Sequence, residues 1–285
     1  MNDLIRRFKI FAKKLWKVLN RPEMILLPGQ LAFFLILSVV PIVTLVSYGA
    51  SFLNLPVDFI SNFIIKAFNK TIAEMIVPIV SGVTLSKRFY ITLIVGYYIA
   101  SNGASSIIVT SNTIYGIKNS SFFKRRLKAM IITLILVLLF LFILIVPVFG
   151  NKVIEMIAYV NLNQNITNEI SLIINVLKGP IAWFIIFFFI KVIYTMAPDR
   201  KIPSSYVNKG ALFTSVFWVL ATYIYSYYIA NFAHYNVFYG GLSNVIILML
   251  WVYFLAYIFT IGMALNQNDE KEKLEKTGQI KYLEK

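Results

Sequence analysis

The sequence predicts an all-α fold: a polytopic membrane helix bundle with six transmembrane helices, an N-terminal amphipathic interfacial helix and both termini in the cytoplasm. Two features of composition and one pattern predict it. Of 285 residues, 59% are hydrophobic and only 14% charged, where soluble domains carry about 25% charged residues. Mean hydropathy is +0.76. The pattern is the stronger signal. No Asp, Glu, Lys or Arg lies between Met24 and Val57, Phe89 and Ile117, Ala129 and Asn151, or Gly210 and Asn268. A helix needs roughly 20 apolar residues to cross the hydrocarbon core. Each tract supplies that length, and the last supplies it twice. Buried helices of a soluble α protein would leave too little polar sequence to coat the outside.

The spans fall at about 27–49, 88–110, 127–149, 180–198, 209–231 and 240–265. The stretch HYNVFYGG, with the only histidine, His234, breaks the last long tract and predicts a turn at the headgroup level. Glycines 240 and 241 give that turn its backbone freedom. The domain plan is then residues 1–22 as a basic interfacial helix, 23–267 as the transmembrane domain, and 268–285 as a charged cytoplasmic tail. Extracytoplasmic segments at 50–87 and 150–179 are long and carry helix-spaced apolar residues, so they predict helices at the outer interface. A re-entrant segment at 76–82, VPIVSG with its flank, is the alternative for part of the first.

Basic residues set the orientation. Arg6, Arg7, Lys9, Lys13, Lys14, Lys17 and Arg21 precede the first span; Lys118, Lys124, Arg125, Arg126 and Lys128 follow the second; Arg200, Lys201 and Lys209 follow the fourth. With six spans these fall on one side, which the positive-inside rule makes cytoplasmic. Lys87 and Arg88, beside a span on the other side, are the local exception. In the first helix Leu4, Phe8, Phe11, Leu15 and Leu19 recur at helical spacing among basic side chains. That predicts attachment to the anionic lipids of the inner leaflet. The net charge of +15 is mostly this orientation signal rather than a nucleic-acid footprint.

Chemistry-bearing residues are scarce. There is no cysteine and one histidine, so thiolate chemistry and histidine–cysteine metal sites are not expected. The twelve acidic residues fall in loops, the tail or span ends, and no carboxylate pair, phosphate loop or nucleophile–base spacing is visible. No catalytic residue, metal ligand or cofactor is predicted. Lys191 is the one charge inside a span; its stem is long enough to carry the ammonium toward the cytoplasmic headgroups. Uncharged polar residues in the spans are the better clue, because an unpaired amide in hydrocarbon is costly. Candidates for a cavity or gate are Gln30, Ser38, Pro41, Asn102, Asn112, Tyr115, Lys191, Asn236, Tyr239, Asn244 and Asn266. Hydrogen bonds that merely stabilise the bundle are the competing explanation. Pro41 within a span removes a backbone donor and frees carbonyls, as in broken transporter helices.

Several motifs resemble one family. LAFFLILSVVP in the first span carries Leu31, Ala32, Ser38 and Pro41, with Phe33 where relatives have tyrosine. SNTIYG after the second contributes Asn112, Tyr115 and Gly116. YTMAPDRKIP and the following helix contribute Tyr194, Pro198, Pro203, Gly210, Ala211 and Trp218. YNVFYGG and LWVYF contribute Tyr235, Asn236, Tyr239, Gly240, Trp251 and Tyr253. In this order, from about Leu26 to Asn266, the chain resembles the YihY/virulence-factor BrkB family of bacterial inner-membrane proteins, formerly mislabelled ribonuclease BN. It departs at Gly262-Met263-Ala264-Leu265-Asn266, where Ala264 replaces a glutamate common in the family. The resemblance implies a cell-membrane protein, with transport of lipid-like or amphipathic substrates as the suggested activity. A non-transporting structural or sensory envelope protein is the alternative, and an intramembrane enzyme a remote one.

Overall fold

A computed structural model describes residues 2–52, 87–159, 164–231 and 240–276. Among these the chain is helical almost throughout: α1 (Asn2–Leu19), α2 (Glu23–Phe52), α3 (Lys87–Tyr115), α4 (Phe122–Tyr159), α5 (Gln164–Met196), α6 (Asn208–Asn231) and α7 (Ser243–Lys276). Short 3-10 turns at Ser204–Tyr206 and Gly240–Leu242 precede α6 and α7. The described residues of the charge-free tracts lie almost entirely on long helices, the first three tracts on α2, α3 and α4 and the last on α6 and α7. Among the described residues four stretches are long and apolar enough to cross a membrane: Leu93–Tyr115, Ser171–Met196, Asn208–Ile229 and Val245–Glu275. Ala12–Leu19 and Glu23–Val39 make a fifth if this pair, bent by 74°, counts as one span. The chain is therefore an all-α, polytopic membrane bundle. The outer segment from 53 to 86, including the re-entrant candidate, lies outside the described residues. So do the asparagine-containing turn at 160–163 and most of the histidine joint, with His234, Asn236 and Tyr239.

The helices differ from the sequence expectation mainly at their ends. α5 begins at Gln164 and runs through Pro180, well before the apolar core of its span. α2 runs through Pro41 without interruption to Phe52. α7 continues to Lys276, so the first residues read as a tail are helical. α3 stops where it does because Gly116 adopts φ +68°, a conformation glycine takes at little cost. Gly116 N–H then donates to the Thr113 carbonyl at 3.2 Å and Ile117 N–H to the Asn112 carbonyl at 2.8 Å, the paired bonds of a Schellman cap.

The chain divides into two compact units. One comprises residues 1–38, 101–132 and 190–285. Its core is built on α6 and α7, joined by the end of α5. Tyr194 packs its ring on Phe259 at 4.7 Å, and Trp218 stacks on the same phenylalanine at 5.9 Å. The polar ends of the aromatics find backbone acceptors: Trp218 Nε1 donates to the Leu255 carbonyl and the Tyr225 hydroxyl to the Ile247 carbonyl. α1 lies against the far end of α7, with Lys14 Nζ 2.7 Å from Glu272 and Arg21 Nη2 on Gln267 Oε1 (3.0 Å) and Asn268 Oδ1. The second unit comprises residues 39–100 and 133–189. There Gly49 meets Leu141, and the Phe142 and Phe189 rings lie 6.0 Å apart. Phe184 and Phe188 are exposed here, as Tyr223 and Ile224 are in the first unit. Such outward apolar faces suit a helix surrounded by lipid.

Candidate functional site

The polar residues of the first unit gather in two places. The first is a corner where the end of α3, the start of α4 and the turn after α5 meet. Asn112 is fully buried, and its amide is used at both ends. Nδ2 donates to Asn119 Oδ1 at 2.9 Å and Asp199 Oδ2 at 2.7 Å, while Oδ1 accepts from the Asp199 N–H at 2.8 Å. Asp199 Oδ2 also accepts from the Ser120 N–H at 2.9 Å, and Oδ1 takes the Lys128 ammonium at the same distance. Lys128 donates as well to the Pro198 carbonyl at 2.6 Å. Burial alone would raise the pKa of this carboxyl. Hydrogen bonds from Lys128, the Ser120 backbone and Asn112 outweigh that and hold it below the usual carboxylate range. Asp199 is therefore a fixed anion at neutral pH and no carrier of protons.

The corner extends through the residues beside it. Arg200 Nη2 reaches Glu270 Oε2 at 2.5 Å, and its guanidinium lies 5.7 Å from the centre of the Tyr115 ring. Lys209 and Lys273 both hold Asp269, and Lys273 also sits over the Tyr206 ring at 4.4 Å. Glu270 and Asp269 are buried in the residue sense, so the end of α7 is pinned to the corner rather than solvated.

The second place is the crossing of α6 and α7. Gly210 and Gly262 face each other so closely that a Cβ on Gly210 would fall on the Gly262 carbonyl oxygen. A Cβ on Gly262 would fall on Thr214 Oγ1 and the Tyr194 hydroxyl. Close backbone approach through small residues is how membrane helices gain packing contacts. Asn266 Oδ1 accepts the Gly210 N–H at 2.7 Å. The Tyr194 hydroxyl donates to the Phe259 carbonyl at 2.7 Å, so the Thr214 hydroxyl, also at 2.7 Å, is its donor. Ala264 is fully buried on this helix.

The candidates from the sequence are thus dispersed. Asn112 and Tyr115 lie at the corner and Asn266 at the crossing. Ser38 is buried against α3, accepting the Gly103 N–H at 3.0 Å while donating to the Phe34 carbonyl. The neighbouring Asn102 accepts from Arg126 Nη1 at 2.8 Å. Gln30 is exposed on α2, and Pro41 is half-buried. Lys191 is half-buried on α5, and its carbonyl accepts from the Thr195 hydroxyl one turn on. Asn244 lies in the first turn of α7, and Asn236 and Tyr239 are outside the described residues. Sequence reasoning missed Asp199, Lys128, Asp269 and Glu270, because each is defined by a partner far along the chain. Among the described residues no group of three or more His, Asp or Glu is placed to hold a metal.

The match to known proteins covers nearly the whole chain: residues 15–281 fit the family described as virulence factor BrkB. The chain belongs to this family. A ribonuclease-like protein, YfkH, of Bacillus subtilis (strain 168) is 26% identical over 250 residues, spanning 86% of this chain and 90% of the relative. UPF0761 membrane proteins match over shorter stretches. That of Idiomarina loihiensis is 29% identical over 99 residues, 33% of this chain and 35% of the relative. One from Histophilus somni (strain 2336) is 30% identical over 70 residues, 25% and 24% respectively. No solved structure shows significant similarity. Membership of the BrkB family and the multi-span helical fold together place the protein in a bacterial membrane.

Proposed function

We propose that this BrkB-family protein handles lipids or other amphiphiles in the cell envelope, moving them across or within the membrane. The observation that carries this is a row of hydroxyls on α3. Ser106 Oγ, Thr110 Oγ1 and Ser111 Oγ are buried and have no hydrogen-bond partner among the described residues. A hydroxyl buried without a partner costs about 1–3 kcal/mol. A span that keeps three of them in one and a half turns is suited to a polar occupant or to a second packing. The same helix carries Asn102 and Asn112, the amides singled out by the sequence.

In this reading all six long helices cross the bilayer. The corner, with its lysines and arginines, then lies on the cytoplasmic side together with both termini, as the basic-residue bias indicates. α1 lies on the anionic inner leaflet. Asp199 is a fixed anion and Ala264 replaces the family glutamate, so coupling is not expected to run through a membrane-embedded carboxylate. We read the chain as non-enzymatic and do not carry over the ribonuclease-like name of YfkH. A nuclease normally positions a metal with acidic ligands beside the phosphate.

A second reading has its own support. Ser38, Asn102 and Asn112 are all bonded to other protein groups, as in a filled bundle with a structural or sensory role. Reconstitution separates the two. Native protein in liposomes should accelerate lipid redistribution or amphiphile uptake. Ser106→Ala with Thr110→Val should slow it while leaving stability equal or higher, since removing an unpaired hydroxyl is not destabilising. If native protein moves neither lipid nor solute, the structural reading replaces the transport one.

A further inference from the structure

An open depression of roughly 420 Å³ lies beside the corner, between the first turns of α4 and the turn after α5. Its cations are not equivalent. Lys128 is committed to Asp199 and Arg200 to Glu270, so those two charges are balanced. Lys124 and Lys201 also line it; both are exposed, and neither has a carboxylate partner among the described residues. Two net positive charges therefore face the depression. Beside them Leu127 and Ile131 line the same depression at 66% and 51% exposure. Positions 124, 127 and 131 follow one another at three and four residues, so they form a single stripe on α4. It begins with a cation and turns apolar as the helix enters its hydrophobic tract.

The geometry points to a binding site for the headgroup phosphate of an anionic phospholipid, with one acyl chain lying along Leu127 and Ile131. Charge complementarity selects the anion. The apolar continuation selects a lipid over a free phosphate, because free phosphate gains nothing from two exposed aliphatic side chains. A nucleic acid would also meet the basic rim, but among the described residues no aromatic side chain lines the depression for its bases to stack on. The site is separate from the basic N-terminal helix and does not depend on whether the protein transports anything.

The test uses the full-length protein in nanodiscs with a photoactivatable phosphatidylglycerol. Crosslinks should map to peptides containing residues 124–131 and 195–201. Photoactivatable phosphatidylcholine should label them far less, and millimolar inorganic phosphate should not displace the phosphatidylglycerol. Replacing both Lys124 and Lys201 with Gln should weaken phosphatidylglycerol labelling here about thirtyfold, at roughly 1 kcal/mol per basic residue near a membrane surface. Lys124→Arg with Lys201→Arg should retain it. Equal labelling by the two lipids, displacement by phosphate, or unchanged labelling in the Gln double variant would each overturn the proposal. The lipid comparison on native protein decides the matter even if a variant fails to fold.

Discussion

Asp199 shows how much one side chain can organise. Its carboxylate, 4% exposed, accepts from groups on α3, the α3–α4 turn and α4 at once. Removing one partner of a buried ion pair costs about 3–5 kcal/mol. Asp199→Ala is expected to lower stability by that amount, read as a fall in melting temperature in detergent. The pH dependence follows from the depressed pKa. A group whose folded pKa lies below its unfolded value stabilises the fold above the unfolded value, near 4, and loses that contribution as pH falls through the folded one. The contribution should be constant from about pH 8 to 5 and fade only in stronger acid, and Asp199→Ala should remove this acid-side loss. The glycines make a second prediction. At Gly210 a Cβ meets backbone, which cannot swing aside, whereas at Gly49 it meets only Leu141 methyls, which can. Gly210→Ala should therefore cost at least the 1–3 kcal/mol typical of overpacking. Gly49→Ala should cost much less in the same melting experiment.

At the scale of elements, the sequence was informative wherever the signal is local. The described parts of the charge-free apolar tracts are almost entirely helical, and the Gly116 cap closes the helix at the end of SNTIYG. It was less informative where a helix continues into polar sequence. Residues 268–276 alternate acids with lysines and read as a solvated tail, yet α7 runs on to Lys276. What keeps it folded there is remote: Asp269 pairs with Lys209, and Glu270 with Arg200, 70 residues away. No periodicity within the segment encodes such partners. The candidate residues divide the same way. Asn112 was legible as a polar group in an apolar tract, but its role at the corner needed Asp199, 87 positions later. The contact between α1 and α7 tests the weight of such pairs. Lys14 and Glu272 are each more than a third exposed, so their bridge should contribute under about 1 kcal/mol. Lys14→Ala should barely move the melting temperature. Arg21→Ala, which strips Gln267 and Asn268 of their donor, should move it more.

For the whole molecule the central claim is that the corner, with Asp199 at its heart, is the cytoplasmic end of a chain that crosses the membrane six times. Basic residues before α2, between α3 and α4, and between α5 and α6 then share one side, and α1 meets the inner leaflet there. The amphiphile-handling reading and the lipid site by Lys124 and Lys201 both take their sidedness from this arrangement. Because the chain has no cysteine, single cysteines can be introduced without background. Lys118 and Lys201 are exposed on two turns of the corner, and Asn163, between α4 and α5 in sequence, falls on the opposite side if the chain crosses six times. The decisive measurement is labelling of intact cells with a membrane-impermeant maleimide, with permeabilised cells as the control for reactivity. With the corner on the cytoplasmic side, Asn163→Cys is labelled in intact cells, while Lys118→Cys and Lys201→Cys react only after permeabilisation. Labelling of Lys118→Cys or Lys201→Cys in intact cells would contradict that sidedness.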